Sequence, residues 1–552
     1  MKKIVFLFTI ALLVISCGKK NSESSYIPKD AAGVMYVNLG SLAAKSQNVD
    51  FKDLHISKMI EQSAPRKMKA FLEEQMTAEN INAAFRKEFL LGFMVAEGRA
   101  GYGGLIIPIK DAASFEKMIM PMLQDLPRAE KQENVGKNDA FTVYSSRDMA
   151  IGWNNETALI VAGSRYPDQD LIDLTKMEAS ENIYATNYYK SFFDTSMDMG
   201  MHVSSTPLKE MGDAMASMFT GKNSIELGDN NFAYYGNFED DRILTKATLK
   251  LNKDIKSLTG YESWAAKGYE SDLLNVLPSN PAMVFKVSLD PTALYKHFES
   301  LQDNELIPEM FRTGLKTNLQ RTNKEMKREI GMTMEDITGL FDGSMMLAVT
   351  EGITKKDSIR DYYSDDEEYQ VFETKIPYMY GAVAIKDMDK FETLVNKAME
   401  MKRPENTKGK NYYELDDNVF VMLKDNVLFI TNDESKADEV YNNGKLAANL
   451  SSFEHKSKLD NSIYMYMSEN AYKMFSDMAN SMNPYASMYG NNDTMSTTYE
   501  KYGEFFGDTH FIMNADGMET FTYTKGDGNS LERTIDYMDA ALEETMKMMS
   551  RY

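Results

Sequence analysis

A segment near the start of the chain recurs 250 residues later, and this repeat constrains the fold more than any other feature. The two segments run from Ile27 to Leu39 and from Leu277 to Leu289. Five further blocks match in the same order, and such a collinear series indicates an internal duplication. The further pairs are Thr77–Phe85 with Thr333–Phe341, Val95–Gly98 with Val349–Gly352, Ile109–Glu116 with Ile385–Glu392, Met201–Met218 with Met465–Met482, and Gly228–Phe232 with Gly507–Phe511.

The matched blocks divide the chain into domains. We predict a first copy over residues 26–255, a connecting segment over 256–275 and a second copy over 276–552. The length of 552 residues agrees with this division, because one hydrophobic core rarely holds so long a chain. The second copy has two extra stretches, Ile353–Ile376 and Asn483–Phe505, which we expect to be polar loops outside the shared core.

Local patterns predict an α+β fold in which each copy is a mainly antiparallel sheet with packed helices. The opening block alternates apolar and polar residues as a half-buried strand does. Polar turns between later strands indicate hairpins, and helices follow strands without strict alternation. The valines expected to share positions are Val34 with Val284 and Val37 with Val287, and the expected helix N-caps are Thr77, Thr333, Asp111 and Asp387.

The N-terminus has the pattern of a bacterial lipoprotein signal. A short basic start precedes an apolar run of twelve residues, Ile4 to Ile15, which is too short to cross a ~30 Å hydrocarbon core. The run ends in a lipobox at Ser16 and Cys17. We predict that residues 1–16 are removed, that Cys17 becomes the acylated anchor, and that residues 17–25 form a polar tether with nothing to bury.

The acidic composition and the single cysteine exclude several classes of function. A formal net charge of −22 repels phosphate backbones, so nucleic-acid binding is not expected. Cys17 is the only cysteine in the sequence. Once it is acylated, no thiol remains for a disulfide, a nucleophile or a Cys-ligated zinc, and stability must come from packing.

The lipobox, the opening block Ile27–Leu39 and the length together resemble a family of Bacteroidetes lipoproteins defined by a domain of unknown function, the 4836 family. The resemblance covers nearly all of the mature chain, and its motifs are strand and cap signals. It implies an envelope location and brings no activity, ligand or catalytic residue. In lipoproteins of this group, acidic residues after the cysteine often mark export to the cell surface, and Gly18, Lys19 and Lys20 include none. The resemblance therefore implies an outer-membrane anchor that faces the periplasm.

Two patterns of catalytic or phosphate-binding type are incomplete. Ser114 and Lys117 fit the Ser-x-x-Lys nucleophile pattern, but no Lys-Thr-Gly completes the site. The glycine-rich stretch from Gly98 to Gly104 is followed by a strand rather than a helix. We therefore expect a hairpin turn there instead of a phosphate loop, and we predict no catalytic residue.

The histidines and acidic runs lack metal-ligand spacing. We expect all five histidines to be solitary surface or edge residues, because they are scattered along the chain. The acidic runs Glu239–Asp241 and Asp365–Glu368 lack the spacing and the glycine of a calcium loop, so we expect a solvated turn and a solvated loop. No metal or cofactor is predicted. The five histidines are His55, His202, His297, His455 and His510.

Methionine is unusually abundant, at 42 residues. Met197, Met199 and Met201 have the Met-x-Met spacing of copper-handling proteins, because thioether sulfur suits Cu(I). The same spacing puts them on one face of a strand. We favour a buried face in which methionine fills gaps in the core, with copper binding as the alternative.

Three classes of function remain. The first is a lipid-anchored, non-catalytic binding or scaffold protein, attached to the membrane through Cys17 and with an envelope protein as its partner. The second is a periplasmic protein that binds a ligand or a metal such as copper. The third is an enzyme whose residues converge only in three dimensions. Exposed apolar patches would favour the first class, and a pocket with converging titratable groups would favour the third.

Overall fold

A computed structural model describes most of the chain after residue 21. The predicted signal peptide and Cys17 lie outside the described residues. The described residues are 22–63, 66–75, 77–97, 100–124, 129–186, 192, 196–209, 226, 228–266, 268–360, 369–402, 412–415, 419–482, 494–515 and 517–549. Within them, no helix combines the length and the apolar composition needed to cross a bilayer.

The chain forms two compact units. The first contains the residues up to Met218, Ser224–Ile255 and Gly526–Tyr552, and the second contains Phe219–Asn223 and Lys256–Lys525. In both units the strands pair antiparallel and helices pack on the sheet. The predicted α+β class with mainly antiparallel sheet is therefore confirmed.

The first unit has ten strands in its described part. They pair in the order β4-β5-β6-β7-β3-β2-β1-β8-β9-β10, so that β1 lies between β2 and β8. The strands are β1 Gly33–Asn38, β2 Phe89–Glu97, β3 Ala100–Pro108, β4 Glu130–Val135, β5 Phe141–Ser145, β6 Met149–Trp153, β7 Thr157–Ala162, β8 Met199–Ser204, β9 Asn231–Phe238 and β10 Arg242–Lys250.

The described part of the second unit has nine strands. They pair in the order β14-β15-β16-β13-β12-β11-β17-β18-β19, so that β11 lies between β12 and β17. The strands are β11 Met283–Ser288, β12 Phe341–Arg360, β13 Tyr369–Ile385, β14 Tyr413–Leu415, β15 Val419–Lys424, β16 Val427–Thr431, β17 Ile463–Met467, β18 Phe506–Asn514 and β19 Gly517–Thr524.

Helices cover parts of both faces of each sheet. Those of the first half of the chain are α1 Leu39–Ala44, α2 His55–Ser63, α3 Arg66–Gln75, α4 Ala78–Ala84, α5 Ala112–Leu123 and α6 Pro167–Lys176. Those after β10 are α7 Lys253–Thr259, α8 Tyr261–Trp264, α9 Pro291–Ser300, α10 Glu309–Glu329, α11 Met334–Thr338, α12 Met388–Lys402, α13 Glu434–Asn443, α14 Glu469–Met482, α15 Thr494–Phe505 and α16 Ser530–Met549.

The four predicted N-caps are confirmed. The carboxylate of Asp111 accepts a hydrogen bond from the Ser114 amide at 2.7 Å, and that of Asp387 accepts one from the Lys390 amide at 3.2 Å. Hydrogen bonds from the side chains of Ser114 and Lys390, together with these amide bonds, lower the pKa of the two carboxyl groups. The hydroxyls of Thr77 and Thr333 likewise each accept from the amide three residues on, at 3.2 Å.

Two predicted domain boundaries are wrong. Residues 22–26 form a 3₁₀ helix instead of a free tether, and Glu23 is buried there in an ion pair with Arg86. The closing helix α16 belongs to the first unit instead of the second. Its Asp539 bonds the imidazole of His55 at 2.9 Å. Polar contacts distant in sequence decide both outcomes.

The two extra stretches of the second copy are regular structure in their described parts. Ile353 pairs with Ile376 and Arg360 pairs with Tyr369, so the first stretch extends the β12–β13 hairpin. The second stretch ends in α15, whose Ser496 hydroxyl bonds that of Ser476 on α14 at 2.8 Å. The expectation of irregular loops at these two places is therefore wrong.

Candidate functional site

The methionine row of β8 lies on the more exposed face of its strand. Met201 is 41% exposed and Val203 is 37% exposed, whereas the alternate residues Gly200, His202 and Ser204 are buried. The predicted alternation is correct. The predicted burial of the methionine face is wrong, because the buried face is the one that carries the small and polar residues.

An apolar cleft lies beside this row on the sheet of the first unit. Its volume is about 490 Å³, and we call it the methionine cleft. Met94 stands at its rim and is 53% exposed. The cleft is lined by Gly33, Val34, Met35, Gly92, Phe93, Met94, Gly103, Gly104, Leu105, Met149, Ile160, Ala162, Gly163, Met201 and Val203.

Glycines in β2 and β3 leave room for two of the side chains that line the methionine cleft. A Cβ atom on Gly104 would lie 2.1 Å from the ring of Phe93, and one on Gly92 would lie 2.8 Å from the side chain of Met35. Larger residues at these positions would therefore displace Phe93 and Met35 from the lining of the cleft. The predicted glycine-rich turn is accordingly wrong for Gly104 and its neighbours in β3, because they lie within the strand.

The chemistry of the methionine cleft is uniform. Every described residue that lines it has an apolar side chain or none, so it offers a bound molecule dispersion contacts and the removal of apolar surface from water. Methionine side chains adapt their shape to different partners. The cleft is therefore suited to an apolar surface and offers no group for acid–base or nucleophilic chemistry.

The second unit has a helix at the corresponding place, whereas the matching stretch of the first unit, residues 210–218, lies outside the described residues. Gly33 faces Met94 and Val203 across β1, whereas Met283 faces Val349 and Met467 across β11. Met283, Val349 and Met467 pack against an apolar cluster on α14. That cluster consists of Ala471, Met474, Phe475 and Met478.

Comparison with protein families identifies the chain. Residues 24–485 match the model of a family described as a domain of unknown function, DUF4836. The chain belongs to this family. The membership of the 4836 family expected from the sequence is thereby confirmed, and the DUF4836 description assigns no activity to the cleft.

Solved structures show only a weak likeness to this DUF4836 chain. Crystal form I of TP0453 is 12% identical over 44% of this chain and 86% of TP0453, with a TM-score of 0.24. Crystal form III of TP0453 is 12% identical over 46% of this chain and 90% of TP0453, with a TM-score of 0.25. Scores this low carry no argument about fold or function. No curated protein matches the chain.

Three histidines of the DUF4836 chain are not the solitary surface or edge residues that the sequence predicts. The rings of His455 and His510 lie 4.5 Å apart between centroids, and His510 is fully buried. His202 is also buried, with its Nε2 atom 3.2 Å from the Asn231 side-chain oxygen. The expectation is therefore wrong for His202, His455 and His510, because strand pairing buries side chains and joins residues far apart in sequence.

The other predicted candidates in the DUF4836 chain have structural roles or are not described. Ser114 lies in the first turn of α5, where its amide is capped by Asp111. Glu239–Asp241 forms the expected turn between β9 and β10, and the Glu239 carboxylate accepts a hydrogen bond from Arg242 at 2.6 Å. The acidic run Asp365–Glu368 lies outside the described residues.

Proposed function

We propose that the two units are divergent copies of one α+β fold. Their strand orders support this, because β1 and β11 occupy the same position among their neighbours. The segments before these strands also correspond. Pro28 bridges to Asn182, and Pro278 bridges to Asn449. Both asparagines then cap a short 3₁₀ helix.

The strand register supports the duplication and corrects one of its six sequence matches. Met201 faces Tyr234, and Met465 faces Phe511. Phe511 therefore corresponds to Tyr234 and not to Phe232, so the last match is displaced by two residues. With this register, Asn231 corresponds to Asp508.

We further propose that the protein is a lipid-anchored, non-catalytic binding protein of the cell envelope. Its methionine cleft would hold the apolar face of an amphipathic helix from a partner protein. The chain's own match to the C-terminal part of α14, residues 210–218, lies outside the described residues. The test is therefore made on the whole mature chain, in which occupation of the cleft by that stretch would prevent the binding of an added helix. The observation that carries this proposal is the helix α14 of the second unit, which already covers the corresponding sheet positions with Met474, Phe475 and Met478. The cleft would take a similar helix, as other grooves bind amphipathic helices.

The probe for this function is a labelled peptide with the sequence of α14, residues 469–482, added to the mature chain. Burial of each large apolar side chain contributes about 1.5–3 kcal/mol, and the cost of association offsets part of the total. We expect binding in the micromolar range by fluorescence anisotropy. Met94→Glu and Met201→Glu should each abolish it, because a carboxylate in the cleft cannot be solvated once the peptide is bound.

The matched control is Met310→Glu on α10, where the methionine is 75% exposed and lies in the second unit. This variant should bind the peptide as the wild type does. The proposal would be overturned if the peptide failed to bind, or if the two cleft variants bound it as well as the control. Binding of a free fatty acid in the cleft, together with no binding of the helical peptide, would assign the cleft to hydrocarbon chains instead.

The envelope location depends on the anchor at Cys17. We propose that acylation of this residue attaches the protein to the outer membrane, where it faces the periplasm. Cys17→Ala should abolish the incorporation of labelled fatty acid and leave an unprocessed precursor. Normal processing and membrane retention of this variant would refute the anchor. Removal of the wild-type protein by protease added to intact cells would refute the periplasmic orientation.

A further inference from the structure

Three potential metal ligands converge in the second unit. His455 stands just before a 3₁₀ helix at Lys456–Asp460, and Asp508 and His510 lie two residues apart on β18. One ring nitrogen of each histidine and one carboxylate oxygen of Asp508 all lie within 4.8 Å of one another. Ligands about 2.1 Å from one ion are at most about 4.2 Å apart, so shifts of under about 1 Å would close the set around a metal.

His510 has one ring nitrogen without a hydrogen-bond partner in the part of the chain that the structure describes. Its side chain is fully buried, and its Nδ1 atom lies 2.8 Å from the hydroxyl of Tyr464. Its Nε2 atom is also buried and has no hydrogen-bond partner among the residues that the structure describes. An unsatisfied buried polar atom costs about 1–3 kcal/mol, so this nitrogen indicates a missing ligand.

The surrounding residues orient the three ligands. If the Nδ1 proton of His510 is donated to the Tyr464 oxygen, the Nε2 lone pair is free to bind a metal. Asp508 accepts hydrogen bonds from the Tyr466 hydroxyl and the Glu469 amide, each at 3.0 Å.

The cluster borders a cleft of about 540 Å³, through which an ion could enter. His455 of the cluster and Tyr466, which donates a hydrogen bond to Asp508, form part of the wall of this cleft. The cleft is also lined by Glu351, Glu454 and Ser468. The Ser468 hydroxyl oxygen is buried and has no partner in the described part of the chain. The acidic side chains of Glu351 and Glu454 in this lining would attract a cation, although the charge of nearby Lys458 opposes this attraction.

The donor set decides the class of metal. Two imidazoles and one carboxylate suit Zn²⁺ and related divalent transition metals, whereas Cu(I) prefers thiolates and thioethers. We propose that His455, Asp508 and His510 bind one divalent transition-metal ion of the zinc class. The first unit has Asn231 in the place of Asp508 and Ala233 in the place of His510, so the site is confined to the second unit.

The test uses the mature chain after removal of metals with a chelator. Titration with Zn²⁺ against a chromophoric chelator should give one tightly bound equivalent, and Co²⁺ should give the visible absorption of a site with nitrogen and oxygen ligands. His455→Gln and Asp508→Asn should each weaken Zn²⁺ binding by at least tenfold. Tyr464→Phe should weaken it by about 10–100-fold, because it removes the group that orients His510.

The matched control is His202→Gln, which alters a buried histidine beside an amide in the first unit and should leave the stoichiometry and the affinity unchanged. Circular dichroism of each variant would exclude unfolding as the cause of a lost site. Failure of the wild type to bind Zn²⁺, or retention of full affinity in both His455→Gln and Asp508→Asn, would overturn the proposal. Neither result would bear on peptide binding in the methionine cleft.

Discussion

Asp198→Ala is expected to lower the free energy of unfolding of the first unit by about 3–5 kcal/mol. The Asp198 carboxylate is fully buried just before β8. It accepts hydrogen bonds from the Lys45 ammonium at 2.8 Å, from the Phe238 amide at 2.6 Å and from the Ser41 hydroxyl. Truncation leaves these donors without their acceptor, and the Lys45 charge loses its counterion in a largely desolvated place.

A double-mutant cycle separates the charge from the hydrogen bonds. Asp198→Asn keeps an acceptor but leaves Lys45 unpaired, and Lys45→Met leaves the carboxylate unpaired. The double variant should be more stable than the sum of the two single losses predicts, because it contains no unpaired buried charge. Additive losses would show that the two residues do not interact.

The two tryptophans allow each unit to be followed separately, because Trp153 lies in the first unit and Trp264 in the second. In a Trp264→Phe background, denaturant unfolding monitored by fluorescence reports the first unit alone. We expect the midpoint of Asp198→Ala to fall well below that of the same background. A control at an exposed acidic residue, Asp240→Ala in the β9–β10 turn, should leave the midpoint nearly unchanged.

The sequence predicted the local features of the fold because their causes are local. The strand alternation around Val34 and Val284 and the N-caps at Asp111 and Asp387 depend on residues within one or two turns. The sequence did not predict which face of β8 is buried. Both faces can carry apolar residues, and burial depends on where a helix such as α14 packs.

The histidine cluster was missed for a different reason. His455 and His510 are 55 residues apart in sequence, and they meet only because β17 pairs with β18 and places Tyr466 opposite His510. No spacing rule for metal ligands covers such a distance. The two-residue spacing of Asp508 and His510 was visible, and on a strand it places both side chains on one face. That spacing was the one available signal.

A buried lysine distinguishes the second unit from the first. Lys286 of β11 is fully buried, and its ammonium donates a hydrogen bond to the Asn461 carbonyl. It faces Tyr464 across the strand pair, whereas the corresponding Tyr36 faces Gly200. In the first unit the tyrosine ring is on β1 and lies beside Gly200 of β8. In the second unit the tyrosine ring is on β17 and lies beside the aliphatic chain of Lys286 on β11.

Burial lowers the pKa of Lys286 from 10.5 to about 8, although nearby Asp460 opposes the shift. The folded state therefore loses its proton at a lower pH than the unfolded state does. Between about pH 8 and pH 10.5 the unfolded state binds more protons, so stability rises with pH across this window. From about pH 7 to pH 9.5 we expect the second unit to gain about 2 kcal/mol.

Lys286→Met should remove this gain, because methionine fills a similar volume and carries no proton. In a Trp153→Phe background, Trp264 fluorescence reports the second unit, and its denaturant midpoint should rise with pH in the background protein but not in the Lys286→Met variant. Lys316→Met, at an exposed position on α10, should keep the full pH dependence. The measurement must stay below about pH 10, because burial also raises the pKa of Tyr464. Above that pH the unfolded tyrosine ionises while the folded one does not, so the stability that Tyr464 contributes falls. A pH dependence that survives in Lys286→Met would show that the lysine is not the group that titrates.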